Sequence, residues 1–434
     1  MQHGMGERLR ENKPNIILIT IDCLRADHLK YLHKLIKRKR LVCCTNFFSN
    51  GTFTPLSIPC MLSSIYPPLE TPQRTITHIL KENGYNTAGF VPNAILLDPR
   101  YRISRIDKGF DFYNTYLMEN PQSNFKRGFN KFSMGIRDMI RLLFGRETKL
   151  FEIMDVFKVI PIPFEIWLPY PRAEQIFADA RTKIEELGKP YFLWLHLMDA
   201  HSPYFPPENY RSIDEKIMKA LNLKLLYHKH WRSREDVNLL HRLYIDELRY
   251  LDDCLDEFLD AVMEENIYVI VTADHGEQFM EHGGLEHISW CMYEEQIRIP
   301  LIILNNDSGE KSFIASTIDI APTIADLTGI DHGFLGQSIL GDNYVEKPIL
   351  IVGLDDKKKP IYGIRTKRWK LFEGITGWEL YDLTRDPHEK QNLYEEEKTI
   401  AMKLKNQIEK IKGRKYTTMK EIEKIRQVAS KLKR

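Results

Sequence analysis

Asp274 and His275 stand side by side just after a β-branched apolar run, Ile267 to Thr272, and Asp22 closes another, Asn15 to Ile21. Aspartate and histidine are both metal-ligand types, and a turn at a strand end lets two neighbours face one ion. Alone, the pair has a second reading, in which Asp274 caps the next helix. Thr54 adds a third element: it lies in the segment Phe53 to Pro59, ahead of a helix-like run from Cys60. A hydroxyl there is close to free backbone N–H groups and the positive end of a helix, a setting suited to an anionic ester. A hydroxyl beside a divalent cation also loses its proton more readily and becomes a nucleophile.

The elements that position these residues follow from the apolar pattern. Short buried runs at Asn15 to Ile21, Thr87 to Val91, Tyr191 to Leu197, Ile267 to Thr272 and Ile299 to Leu304 predict strands of a mostly parallel sheet. Pro171 to Leu187, followed by Gly188, and Val237 to Glu264 predict helices between them. The alternation predicts an α/β fold, an α/β/α sandwich with a mostly parallel mixed sheet. In such sheets ligands collect at the carboxyl ends of strands. Asp22, His201 and the Asp274–His275 pair each follow a different predicted strand, so all are expected in one crevice.

Residues 13–330 read as the catalytic α/β domain, interrupted by a basic, aromatic and then apolar insertion over 119–167. Beyond it, Ile361 to Thr366, Trp369 to Phe372 and Glu379 to Tyr381 predict a small antiparallel subdomain over 331–394. Residues 395–434 are Lys-rich with helical spacing of apolar positions, an amphipathic helical tail with a solvated charged face.

Bulk composition excludes several classes. With 43% hydrophobic residues among 434, the chain can bury a sizeable core. Its 62 Lys and Arg against 60 Asp and Glu give no case for a nucleic-acid partner. No apolar run is long enough to span a membrane. Met1 to Arg10 is polar and lacks a signal-peptide core, and the six scattered cysteines form no Cys-x-x-Cys pair, which together predict a soluble cytoplasmic protein with reduced thiols. Cys60 reads as a core thiol. Cys23 is a potential zinc ligand, but strand alternation points its side chain away from that of Asp22.

At these residues the chain resembles the sulfatase family of the alkaline phosphatase superfamily. Asn15 to Leu29 is similar to the family's opening strand and metal loop, and Thr54 to Pro67 to its nucleophile segment. Gly84 to Thr87, Gly109 to Asp111, Leu197 to Tyr204, Thr272 to Glu277, Tyr293 to Ile302, Asp319 to Thr323 and Glu379 to Pro387 follow in family order. The resemblance implies one divalent metal ion bound by Asp22, Asp274, His275 and Thr54, with Thr54 also the nucleophile. It implies that His201, and His282 or His287, contact the ester oxygens or assist the leaving group. His287 is preferred as catalytic because it lies nearer the Tyr293 segment, which leaves His282 for substrate binding.

Three departures modify this expectation. Where formylglycine sulfatases carry Cys-x-Pro-x-Arg, this chain has Thr54, Leu56 and Ile58. Such a threonine is similar to that of lipoteichoic acid synthases and phosphoethanolamine transferases, so phosphoesters stand beside sulfate esters as substrates. The imidazole of His275, where the family often has Asn, favours manganese or zinc, with calcium the third choice. The family's Lys-Trp-His grip is replaced by Phe90 to Asn93, with Asn93 as a partial substitute in substrate binding. The expected activity is hydrolysis of a small-molecule or glycan ester. Transfer to an alcohol acceptor, as a phosphotransferase, and non-catalytic binding on the same fold are the alternatives.

Overall fold

The computed structural model describes residues 13–67, 74–97, 106–116, 170–227, 233–306, 309–341 and 343–413. The expected insertion over 119–167 lies outside the described residues, as does the part of the tail after 413. The first strands are β1 Asn15–Ile21, β2 Leu41–Phe48, β3 Asn86–Phe90, β4 Phe112–Asn114, β5 Tyr191–Leu197 and β6 Ile267–Ala273. A short hairpin follows, β7 Gln278–Phe279 and β8 Leu285–Glu286, then β9 Arg298–Leu304, β10 Glu310–Lys311 and β11 Ala315–Ser316.

Nine of these form one sheet in the order β10-β2-β9-β6-β1-β5-β3-β4, with β11 also on β2. Strands β6, β1, β5, β3 and β4 are mutually parallel. β9 runs antiparallel to both β6 and β2, so β2 points the same way as β1. Every residue of β1 and β5 is buried, as expected of strands covered on both faces. Two groups of helices do the covering. Helix α2 (Ala173–Glu186) packs on α3 (Arg234–Val262), with Phe177 stacked on Phe258 at 4.5 Å, and α1 (Thr54–Ser63) packs on α4 (Ile320–Leu327). This is the expected α/β/α layering.

A second sheet has the order β12 (Ile349–Leu354), β13 (Pro360–Arg365), β14 (Trp369–Gly374) and β15 (Gly377–Asp382), all antiparallel. Along β12 the side chains alternate. Leu350 and Val352 pack with Leu404 and Ile408 from a helix over 398–413. Ile349 and Ile351 pack with Phe48, Met292 and Ile297 of the large domain. The tail therefore begins as a packed element of the C-terminal sheet. Strand β12 also docks on the loop after β2: Val352 N–H donates to Asn50 O at 2.8 Å, and Thr52 N–H to Val352 O at 3.1 Å.

Helix α1 starts at Thr54, six residues before the expected start at Cys60. Pro55 sits in its first turn, where a missing N–H costs nothing, and all ten residues are buried, so no amphipathic stripe marks its extent. No described helix is long and apolar enough to cross a membrane.

Candidate active site

Register brings the site together. Ile21 pairs with both Leu197 and Ala273, so the residues after β1, β5 and β6 leave the sheet at one level. Asp22 and Asp274 are the first residues past this edge. Strand β2 ends at the same edge, and the loop 49–53 carries the chain to Thr54 at the first turn of α1. Ser57 Oγ donates to Asp274 O at 2.5 Å, fixing α1 against the end of β6. Gly51 allows this approach, since a Cβ there would lie 2.4 Å from Ser57 N.

Four donors converge. Thr54 Oγ1 is 3.4 Å from Asp22 Oδ2 and 3.2 Å from His275 Nε2. His275 Nε2 is 3.6 Å from Asp22 Oδ1 and 3.4 Å from Asp274 Oδ2. His275 Nδ1–H donates to Gly276 O at 2.9 Å, which leaves the Nε2 lone pair facing the group. Asp274 Oδ1 accepts from His275 N–H at 2.9 Å, whereas its buried Oδ2 has no hydrogen-bond partner. Ligands at tetrahedral positions around zinc are separated by roughly 3.3–3.4 Å for bonds of about 2.0–2.1 Å. The donor types, their separations and the unpartnered Asp274 Oδ2 therefore fit a divalent cation held by Asp22, Asp274, His275 and Thr54.

The remaining sequence candidates divide. Asn93 Nδ2–H donates to Asp22 Oδ2 at 3.2 Å, so it steadies the Asp22 carboxylate. His201 Nδ1–H donates to Ser202 O at 2.5 Å, and its ring lies 5.1 Å from that of His287. His287 in turn lies 4.5 Å from the ring of His275. His282 is turned elsewhere. It stacks on Tyr293 at 3.7 Å, faces Glu295 Oε2 at 3.4 Å and reaches His388 O at 3.1 Å. Proximity to Tyr293 thus belongs to His282, and the hairpin β7–β8 is what carries His287 to the cluster.

Three residues outside the expected site set also line this cluster. Cys23 was expected to point away, but its backbone adopts φ +64°, which breaks strand alternation. Its Sγ lies 3.1 Å from Asp22 Oδ1 and 3.5 Å from His287 Nδ1. His196 projects from inside β5. The Thr20 hydroxyl is 2.7 Å from its Nδ1, and its Nε2 is 3.2 Å from Asp22 Oδ2. Glu277 lies fully buried, with Tyr204 Oη–H donating to Oε2 at 3.2 Å. A His within an apolar strand carries no signal of this kind; the Glu277 position was covered by the Thr272–Glu277 resemblance.

Electrostatics follow from the packing. Burial would raise Asp22, but the imidazoles of His201, His196 and His275 outweigh it and hold the carboxyl well below the usual range. Burial would lower His287, but Glu277, with Asp22 and Glu286, pushes it up to about 9. Glu277 is correspondingly lowered against the pull of its own burial by His287, His201 and His275. Burial raises Cys23 well above an ordinary thiol, and Glu277, Asp22 and Asp274 add to the rise.

This fold is matched by known proteins. The family model described as Sulfatase matches residues 14–330, and that of the N-sulphoglucosamine sulphohydrolase C-terminal region matches 354–414. The chain belongs to the sulfatase family. It is similar to choline-sulfatase of Rhizobium meliloti (strain 1021), 23% identical over 256 residues, which is 51% of this chain and 50% of that one. The chain thus spans about half the length of that relative. An ulvan-active sulfatase of Formosa agariphila is 23% identical over 88% of this chain and 77% of its own length. In fold, the chain resembles a protein solved with its substrate D-glucosamine-2-N,6-O-disulfate, with TM-score 0.65, 16% identity and coverage of 94% and 99%. It equally resembles the phosphonate monoester hydrolase of Agrobacterium radiobacter, with TM-score 0.65, 16% identity and coverage of 93% and 96%.

Proposed function

We propose that this chain is a metal-dependent hydrolase of sulfate or phosphate esters that works through a covalent ester on Thr54. One observation carries the reading: Thr54 Oγ1 stands 3.2 Å from His275 Nε2 and 3.4 Å from Asp22 Oδ2, at the first turn of α1. A divalent ion bound by these residues and Asp274 supplies Lewis-acid stabilisation of negative charge on the reacting oxygens.

The side chains account for the rest. The N-terminal turn of α1 adds its dipole to an anionic group placed before Thr54. Thr54 Oγ1 gives up its proton to solvent and forms a bond to sulfur or phosphorus as the bond to the leaving alkoxide breaks. His201 and His287 are the imidazoles available to give that alkoxide a proton and to take one from the water that follows. Asn93 and His196 keep Asp22 in place through its Oδ2.

The threonine also bears on substrate class. A formylglycine hydrate has a second hydroxyl on the same carbon and can collapse to expel sulfate. A threonyl ester cannot, so water must attack the central atom. That route serves phosphorus at least as well as sulfur, and the structural neighbour that is a phosphonate monoester hydrolase supports including phosphorus esters. The sulfatase relatives support small sulfated molecules and glycans as the other class.

The test is a panel of aryl sulfate, aryl phosphate, phosphodiester and phosphonate monoester substrates with manganese, zinc or calcium. Thr54→Ala is expected to lower turnover by about 10³-fold or more with an unchanged circular dichroism spectrum. Full turnover by Thr54→Ala overturns the reading.

A further inference from the structure

Strand β8 carries a carboxylate that the steps above do not use. Glu286 lies next to His287 in sequence, and Ser202, next to His201, donates its Oγ–H to Glu286 Oε1 at 2.5 Å. The rings of His201 and His287 are 5.1 Å apart, and Tyr170 stands T-shaped to His201 at 5.9 Å. Burial, with Asp22 and Cys23 nearby, raises the Tyr170 phenol, so this ring also borders the Thr54 centre. Tyr170, Ser202 and Glu286 therefore surround the two imidazoles that serve the leaving alkoxide.

Glu286 is short of positive charge. It is half-buried, and among the described residues no Lys or Arg forms an ion pair with it. Burial and the adjoining Glu277 raise its carboxyl above the ordinary value, against the pull of Ser202, His287 and His201. The guanidiniums on neighbouring loops are committed elsewhere. Arg25 is held by Asp27, Glu281 and Glu277 O, and Arg172 by Glu247, Asp199 and Phe205 O. A carboxylate taken partly out of water is unfavourable without a cation beside it. The backbone of Glu286 is left-handed, φ +63°, so a long acidic side chain stands where a glycine would fit with less strain.

We propose that Glu286, with the ring of Tyr170, forms a leaving-group subsite that selects esters of alcohols carrying a protonated amine. A carboxylate accepts charge-assisted hydrogen bonds from ammonium N–H groups, and a tyrosine ring attracts the same cation to its face. An alcohol that carries a carboxylate or a further sulfate meets like charge at Glu286 and is disfavoured. The inference deepens the Thr54 reading and rests on it for the side of the centre from which the alcohol leaves.

The probes are the 2-aminoethyl, ethyl and carboxymethyl esters, each as phosphate and as sulfate. They are titrated calorimetrically at neutral pH into the zinc-loaded full-length chain carrying Thr54→Ala, which is expected to bind them without turnover. The aminoethyl ester is expected to bind about tenfold or more tightly than the carboxymethyl ester. Glu286→Gln, whose amide oxygen can still accept from Ser202, is expected to lower that ratio about tenfold, and Glu286→Lys to lower it further. A purely structural Glu286 would weaken all the esters alike and leave the ratio unchanged. No aminoethyl preference in the chain that keeps Glu286, no ester bound by it, or one ratio shared by all three chains overturns the subsite. The first two of these outcomes need no Glu286 variant to fold, and thermal unfolding verifies the folding of the variants for the third. A preference lost on Glu286→Gln while Thr54→Ala still consumes the esters upholds the subsite and overturns the Thr54 mechanism instead, so the two failures are distinguishable.

Discussion

Gly276→Ala tests whether the placement of His275, and not merely its presence, carries the site. A Cβ at Gly276 would lie 2.1 Å from Glu295 O, while real Cβ atoms essentially never come within 3.0 Å, so the backbones must part by at least 0.9 Å (3.0 − 2.1). Gly276 N–H is tied to Gln296 O at 2.7 Å on the same facing segment, so the strain passes into the turn that carries His275. A shift near 1 Å at a reacting group costs roughly 10²-fold in rate. Overpacking of a buried site costs about 1–3 kcal/mol of stability. The assay compares kcat/KM on the best panel substrate, bound metal and the urea midpoint. We expect a loss of about 10²-fold in kcat/KM, weakened metal retention and a lower midpoint. Unchanged kcat/KM with full metal content would show that the 294–296 segment yields alone, and would refute the claim that this glycine sets the position of His275.

Two further predictions concern the C-terminal sheet. Lys370 is 0% exposed and sits between Glu294, at 3.2 Å, and Glu389; Lys370→Met leaves the buried Glu389 without its cation, while Glu294 keeps Arg365 at 3.5 Å, and is expected to cost about 3 kcal/mol in urea unfolding, which the double variant with Glu389→Gln partly restores. Asp382 is held at about 2 by Arg368, against a small opposing effect of burial and with help from Thr384. A lowered carboxylate adds stability above its ordinary value of 3.8, and loses it as pH falls through about 2, so acid-unfolding curves should steepen in that window and Asp382→Asn should flatten them.

The core strands were legible because burial on both faces leaves continuous apolar runs, as in Asn15–Ile21 and Tyr191–Leu197. Strand Leu41–Phe48 was not, since Cys43, Thr45 and Asn46 are partly exposed and a basic stretch precedes it. Strand Ile349–Leu354 reads as a core strand but belongs to the second sheet, which the three strands expected there did not include. The candidates Asp22, Asp274 and His275 stood out because each follows a strand end, and Thr54 because it precedes a helix. Cys23 did not, because a left-handed residue reverses the direction that alternation assigns. The choice between His282 and His287 depends on the loop 280–286, where Met280, Gly283 and Glu286 all have positive φ. Tertiary contacts fix those turns, and local composition holds no record of them.

The family match over the large domain stops at residue 330, yet Val352 is stitched to Asn50 and Thr52, just ahead of Thr54. The hydrogen-bonded contact between the two sheets therefore reaches past the limit of that match. Exchanging the C-terminal sheet would remove the hydrogen bonds that hold the loop leading to Thr54, and substitutions around Val352 offer a handle on Thr54 from outside the cleft.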